Sequence, residues 1–299
     1  MPNRRKRRNR QARSTSRPRP RRGSIHPRDL LAHLKLSPRQ SMGQNFLVRG
    51  ETARDIVAGA GIEAGQHVLE VGPGLGALTW ALRQAGAEVV AVEKDRGLAA
   101  FLAEQYRDDP GVQVVQADIL EWDLQGLTEL ADDWLVVANL PYNVALPILF
   151  RLLDSPLRPR ALHLMVQREV GERMLARAGT SAYGVLTLRL GLLATVTPLV
   201  HVPPEAFYPS PKVHSMVVKV VPRSTPPCDT GPLDALHRLV KAAFASRRKT
   251  LRNALTAASF PGDTVDRALA TAGIDGNRRG ETLTLEEYCR LNRALARAG

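Results

Sequence analysis

The chain has 299 residues, 44% hydrophobic and 24% charged, which fits a globular protein with one large core and a smaller second unit and excludes a fibrous chain. Its formal net charge is +13, yet ten arginines and Lys6 within residues 1–22, where no acid occurs, supply eleven of those charges. The two cysteines, Cys228 and Cys289, are far apart and in no metal-ligand spacing, which argues against a zinc site and a disulfide and fits a reducing cytoplasm.

Residues 1–27 are Arg, Asn, Ser, Pro and Gln with almost no apolar side chain, so they cannot bury enough surface to offset their ordering entropy. A disordered tail is expected, either an arm that displaces counterions from RNA phosphates or a solubilising extension. A transit peptide fits less well, because the apolar face is missing. No run resembles a secretory signal. The most apolar later stretch, Gly184 to Val200, contains Arg189 and Pro198 and falls short of the ~20 residues a membrane span needs. A soluble, cytoplasmic protein that needs neither membrane nor metal is expected.

From Glu51 onward, β-branched runs alternate with amphipathic segments. His67–Val71, Glu88–Val92, Val112–Val115, Trp134–Ala138 and Leu162–Val166 read as strands separated by helix-sized intervals, the pattern of a parallel α/β sheet covered on both faces. Two more β-like runs, Thr195–Val202 and Val213–Val221, are joined only by the Pro-rich loop Pro203 to Pro211. A connection that short forces an antiparallel pair. Four prolines between Pro222 and Pro232 mark a linker, with a boundary near Pro226. Beyond it Leu233–Ala245, Lys249–Ala258, Asp263–Ala272 and Leu285–Ala298 have helical spacing, and Thr284 with Glu287 forms a capping box. The expected organisation is a tail over 1–27, an α/β domain over 28–225 and an all-helical domain over 226–299.

The first strand runs into Glu70-Val71-Gly72-Pro73-Gly74-Leu75-Gly76, a turn whose glycines permit close approach of a ligand to a helix N-terminus. Alone it would serve a nicotinamide or an S-adenosylmethionine (SAM) cofactor. Glu93 ends the second strand 21 positions after Gly72, where a carboxylate can accept from both ribose hydroxyls. Asp118, at the third strand tip, can accept from an adenine amino group. No second nucleotide half or nicotinamide-site pattern follows.

The fourth strand ends in Asn139-Leu140-Pro141-Tyr142-Asn143, the most specific signal in the chain. The N6 lone pair of adenine is delocalised into the ring, so a catalyst must accept hydrogen bonds from its N–H groups to aim that lone pair at a donor methyl. The Asn139 side-chain oxygen and the Leu140 carbonyl are two such acceptors, Pro141 fixes the backbone that aims them, and Tyr142 offers a ring for stacking. Positioning would replace covalent catalysis.

These motifs resemble the KsgA (RsmA) family of ribosomal RNA adenine N6,N6-dimethyltransferases, relatives of the Erm macrolide-resistance enzymes. The resemblance runs from about Leu36 to the C-terminus. It takes in Gly43-Gln44-Asn45-Phe46-Leu47, Glu70 to Gly74, Asn139 to Asn143, Val166-Gln167-Arg168-Glu169-Val170, Pro203 to Phe207 with Pro211-Lys212-Val213, and Phe244 to Asn253. It implies a class I SAM-dependent methyltransferase fold, Rossmann-like, with a seven-stranded, mostly parallel sheet and a terminal antiparallel strand. It also implies SAM contacts from Asn45, Leu47, Gly72, Glu93, Asp118 and Asn139, with Gly74 in the same loop.

In such a family Phe207 would be the second wall, with Tyr142, around a flipped-out adenine, although a Phe between prolines can also simply pack its loop. Lys212, Arg247, Arg248, Lys249 and Arg252 are the expected RNA contacts, with Arg248 and Arg252 four apart on one helical face. The implied reaction is dimethylation of two adjacent adenosines in the 3′-terminal hairpin loop of 16S rRNA, on an immature 30S subunit, by a monomer. The cluster Arg247 to Asn253 and the Tyr183-Gly184 pair favour this branch. The alternatives are Erm-type 23S rRNA methylation and an assembly factor acting by binding. Glutamine or DNA-amine methylation fits less well, since those motifs typically carry Pro where Leu140 stands.

Overall fold

The computed structural model describes residues 25–127 and 133–298. The Arg-rich stretch 1–24, and the polyelectrolyte arm expected there, lies outside the described residues. Pro27 already opens the first helix, α1 (Pro27–His33).

A short strand β1 (Phe46–Leu47) and helix α2 (Gly50–Ala60) precede the main sheet. Four strands follow, three of them paired with a helix: β2 (His67–Val71) with α3 (Ala77–Gln84), β3 (Glu88–Glu93) with α4 (Arg96–Gln105), β4 (Val112–Gln116), and β5 (Leu135–Asn139) with α5 (Ala145–Leu153). Then come β6 (Ala161–Gln167), α6 (Arg168–Leu175), α7 (Val185–Leu193), β7 (Ala194–Val202), a two-residue β8 (Phe207–Tyr208) and β9 (Ser215–Pro222). The seven-stranded sheet has the order β4-β3-β2-β5-β6-β9-β7. Five strands are parallel, and β9 runs antiparallel to both β6 and β7, as the short Pro-rich connection requires. The expected class I methyltransferase sheet is therefore present, with the antiparallel strand last in the chain but seated inside the sheet.

Alternation along each strand explains the two cores. On β2, Leu69 and Val71 join Val136, Leu162 and Leu164 on one face, while Val68 joins Leu135, Val137, Ala161 and Met165 on the other. Every chain reversal from β2 to β3 to β4 moves outward from β2, and the next crossover returns to its other side at β5. This reversal of strand order opens a crevice at the carboxyl ends of β2 and β5.

Helices α8 (Leu233–Phe244), α9 (Leu251–Ala257), α10 (Gly262–Ala272) and α11 (Leu285–Ala298) build a third core. Leu186 and Leu190 of α7 pack into the sheet core, while Leu188 and Leu192 on its opposite side pack into the helical core. A helix wedged between two cores must be apolar all round, which accounts for the apolar stretch after Gly184. Among the described residues no helix is long and apolar enough to cross a membrane. The capping box at α11 is formed: Thr284 N donates to Glu287 Oε2 at 2.8 Å and Glu287 N to Thr284 Oγ1 at 3.3 Å.

One expectation fails here. Cys228 and Cys289 are joined in a disulfide, with Cα atoms 6.6 Å apart. The linker folds back along α11, where Asn292 Nδ2 donates to the Thr230 and Pro232 carbonyls at 2.8 and 3.0 Å, and this carries Cys228 to Cys289. Sequence distance hid the contact, and the cysteine count no longer speaks for a reducing compartment.

His163, in the middle of β6, is 1% exposed and neither ring nitrogen has a hydrogen-bond partner. Burial, with Lys219 on the facing strand, pushes its imidazole down to about 4 from 6.5. A base held neutral in the folded chain contributes stability that is present above pH 6.5 and is lost as pH falls toward 4. The loss can reach about 3 kcal/mol. Urea midpoints are expected to fall between pH 7 and pH 5, and His163→Leu to flatten that slope; an unchanged slope in the variant would refute the assignment.

Candidate active site

The crevice at the carboxyl ends of β2 to β5 is a cavity of ≈ 380 Å³, within the size range of small-ligand sites. It receives the glycine-rich loop after β2, the tips of β3, β4 and β5, and a roof made by residues 41–47. Asn45, Leu47, Gly72, Gly74, Glu93, Asp118, Asn139, Leu140, Pro141 and Tyr142 all line it.

Glu93 is 6% exposed and both carboxylate oxygens are held by backbone donors: Oε2 accepts from Gly74 N at 3.0 Å and Oε1 from Asp95 N at 2.8 Å. Burial raises its proton affinity and these N–H groups oppose the rise. The same carboxylate that faces the cavity therefore ties the glycine-rich loop to the β3 tip. Gly74 adopts φ +59, and a Cβ there would stand 3.0 Å from the Phe46 ring. Only glycine lets this loop run beneath the roof.

Asp118 Oδ1 accepts from Leu120 N at 3.0 Å and Oδ2 from Lys94 Nζ at 2.6 Å. Lys94 is the main cause that holds its carboxyl below the usual range, so it is ionised and able to accept. Lys94 itself is 62% exposed and can swing aside without loss of packing.

Asn139 ends β5. Its Nδ2 donates to the Asn45 carbonyl at 2.9 Å, which leaves Oδ1 as the acceptor on this side chain. The Leu140 side chain is 1% exposed in the sheet core, so what this residue presents at the cavity is backbone. Tyr142 is half-buried and its hydroxyl lies 2.7 Å from Ser215 Oγ. Burial raises its phenol, so the ring is neutral.

From Gln44 to Leu47 the residues alone carry no physical signal beyond a polar-apolar loop. Gly43, at φ +61, abuts the Asn139–Asn143 loop so closely that a Cβ would stand 3.2 Å from Asn143 Oδ1 and 3.3 Å from Pro141 Cβ. Asn45 Nδ2 donates to Gly43 O at 3.1 Å, and Phe46–Leu47 pairs antiparallel with Phe207–Tyr208. The segment is a roof pinned to the strand tip it covers.

Glu70, in the sequence simply the first residue of the loop motif, is the most unusual group in the cavity. It is 0% exposed, and neither carboxyl oxygen has a partner at hydrogen-bond geometry. Burial pushes it up to about 8; the Thr79 hydroxyl partly offsets this and Glu93 adds to it. An acid within an otherwise apolar strand, one residue before its end, is the sequence signal that could have singled it out.

The remaining expected residues lie elsewhere. Phe207 is 3% exposed in the second sheet core with Val202, Ala206 and Leu47, and does not line the cavity. Its pairing with Leu47 turns the ring inward, so the expected second wall is not formed by Phe207 in this conformation. Arg248 is not on a helix: Thr250 caps α9, its side chain accepting from Asn253 N at 3.4 Å, and Arg247 to Lys249 form the preceding turn. Arg252 makes a two-pronged pair with Asp266 at 2.6 and 2.7 Å, so the expected phosphate bridge between Arg248 and Arg252 is not built. Arg247 donates to the Ser181 and Tyr183 carbonyls at 2.6 and 3.3 Å, clamping the segment before α7. Lys212, Arg248 and Lys249 are exposed. Among the described residues no group of three or more His, Cys, Asp or Glu side chains is placed to hold a metal ion.

Over residues 35–297 the chain matches the family described as Ribosomal RNA adenine dimethylase. It is 43% identical over 265 residues to Ribosomal RNA small subunit methyltransferase A of Geobacter sulfurreducens, covering 87% of this chain and 96% of that one. It is 44% identical to the protein of the same name from Magnetococcus marinus, covering 88% and 93%. Among solved structures it resembles a dimethyladenosine transferase from Plasmodium falciparum, with TM-score 0.71, 25% identity and coverage of 85% and 98%. The 23S rRNA methyltransferase ErmE gives TM-score 0.65 at 26% identity, covering 84% and 99%.

Proposed function

The chain belongs to the ribosomal RNA adenine dimethylase family, and from that premise we propose that it transfers methyl groups from SAM to N6 of adenosine in small-subunit rRNA. The observation that carries this reading is the convergence on one cavity of the glycine-rich loop, Glu93, Asp118 and the Asn139–Tyr142 loop. We further propose two adjacent adenosines of the 3′-terminal hairpin loop of 16S rRNA as the target, an immature 30S subunit in the cytoplasm as the partner, and a monomer as the acting form.

The residues present fit SAM. The buried Glu70 carboxyl, faced by the Thr79 hydroxyl but by no cation, suits a ligand that brings positive charge, and the Gly74 cradle admits one that a Cβ would exclude. When bound, SAM supplies a sulfonium-activated methyl group. Glu93 would accept from ribose hydroxyls with the lone pairs its two backbone donors leave over, and Asp118 from the adenine amino group once Lys94 swings away. Asn139 Oδ1 and the Leu140 carbonyl accept from the N6 hydrogens of the target base, which turns the nitrogen lone pair toward the methyl. Tyr142 stacks on the base face, and the roof over residues 41–47 excludes water from the site.

Cofactor binding should then be proton-linked. Glu70, neutral at pH 7, ionises beside a cation, so SAM affinity is expected to rise with pH up to about 8 and level off above it. Calorimetry in buffers of different ionisation enthalpy should show proton release, and Glu70→Gln should abolish it; no release in the parent chain would contradict the reading of Glu70.

The small-subunit assignment rests on identity of 43–44% along nearly the full length of relatives that carry that name. Purified small and large subunits, and the naked RNAs, incubated with chain and methyl-labelled SAM, test it. Label is expected in the small-subunit material, whereas label confined to the large subunit would overturn it.

A further inference from the structure

The hydroxyls of Tyr142 and Ser215 are 2.7 Å apart, and Ser215 is 0% exposed. Ser215 opens β9, and its Cα is paired with Gln167 of β6 on one side and Val202 of β7 on the other. Its backbone is therefore held by strands on both flanks, and its Oγ is a fixed point of the sheet. Tyr142, by contrast, sits in the loop between β5 and α5 at the cavity wall. A tyrosine ring has two soft torsions, and a hydrogen bond at its para end is the contact best placed to fix the ring plane.

We propose that Ser215 is a positioning residue for the methyl transfer: it anchors the Tyr142 hydroxyl so that the ring stands as a rigid wall of the adenine site. The inference rests on the reading of Tyr142 as the stacking residue. Ser215 does not line the cavity itself, so it acts only through the ring. A fixed wall matters more for a second transfer than for a first. Monomethyladenine offers one N6 hydrogen instead of two, so stacking carries more of the orientation, and a loose ring lets the bulkier base turn out of line.

Ser215→Ala and Tyr142→Phe each delete one partner of the bond, and the phenyl ring stays. Each is expected to lower kcat about threefold to tenfold, to change KM for RNA less, and to shift product from dimethyl- toward monomethyladenosine, with SAM affinity unchanged. The Ser215→Ala/Tyr142→Phe double variant is expected to be no worse than either single one. Tyr142→Phe keeps the test informative if Ser215→Ala fails to fold. Losses that multiply in the double variant would overturn the inference, as would single variants with parental kcat and product ratio. Tyr142→Ala separates the two levels: if it is inactive while the single variants are normal, stacking stands and anchoring falls. If Tyr142→Ala is fully active, stacking itself falls and takes the inference with it.

Discussion

Asn139→Ala is expected to lower the rate of methyl transfer by about 10²–10³, the scale of losing one preorganised hydrogen-bonding group in a water-excluded site. The side chain has two tasks divided between its two polar atoms. Nδ2 donates to the Asn45 carbonyl and pins the roof, and Oδ1 is left as the acceptor proposed for the substrate. Alanine removes both. The roof keeps the β1 pairing with Phe207–Tyr208 and the Gly43 contact with Pro141 and Asn143, so SAM affinity is expected to fall less than tenfold. Asn139→Asp restores acceptors but loses the donor to Asn45 and adds a charge beside a carbonyl, so it should rescue little. Equilibrium SAM binding measured beside single-turnover transfer separates the two tasks. Loss of transfer that merely tracks loss of SAM binding would assign Asn139 to the cofactor alone.

Glu93→Ala is expected to weaken SAM binding by about 100-fold or more. The carboxylate accepts from Gly74 N and Asp95 N, and hydrogen bonds to charged groups contribute about 1.5–3 kcal/mol each. Its removal leaves the glycine-rich loop untied from the β3 tip and deletes the proposed ribose acceptor at the same time. Glu93→Gln is a sharper probe, because an amide presents one acceptor and one donor where two backbone N–H groups point. It should lose nearly as much. The fold should persist in both variants, since the apolar packing of both sheet cores is left intact. A Glu93→Ala chain that binds SAM with parental affinity would remove Glu93 from the site.

The parallel sheet was legible because its strands are apolar on both faces and bounded by helix-length intervals; β2 and α11 fall on the expected residues, and other ends move by one or two. The location of the cavity was legible for a related reason. Glu93 and Asn139 each end a strand and Asp118 lies two residues beyond one, and strand ends on one edge of a parallel sheet converge whatever lies between them. Contacts that depend on long-range packing were not legible. The Asn45–Asn139 bond spans 94 positions, and nothing local in Gly43 to Leu47 announces a roof. Phe207 lies among prolines that suggest an exposed loop, but its register opposite Leu47 sends it into the core. Arg252 reads as a phosphate ligand until α10 brings Asp266 beside it. Glu70 was visible as a residue but not as a problem, because only burial without a partner makes it one.

The most direct test of the account is mass spectrometry of nucleosides from small-subunit rRNA, taken before and after reaction of undermethylated small subunits with the chain and SAM. N6,N6-dimethyladenosine should appear in that RNA, and the Asn139→Ala chain should form it about 10²–10³ times more slowly. Dimethyladenosine only in large-subunit RNA, or none with the parent chain, would contradict it.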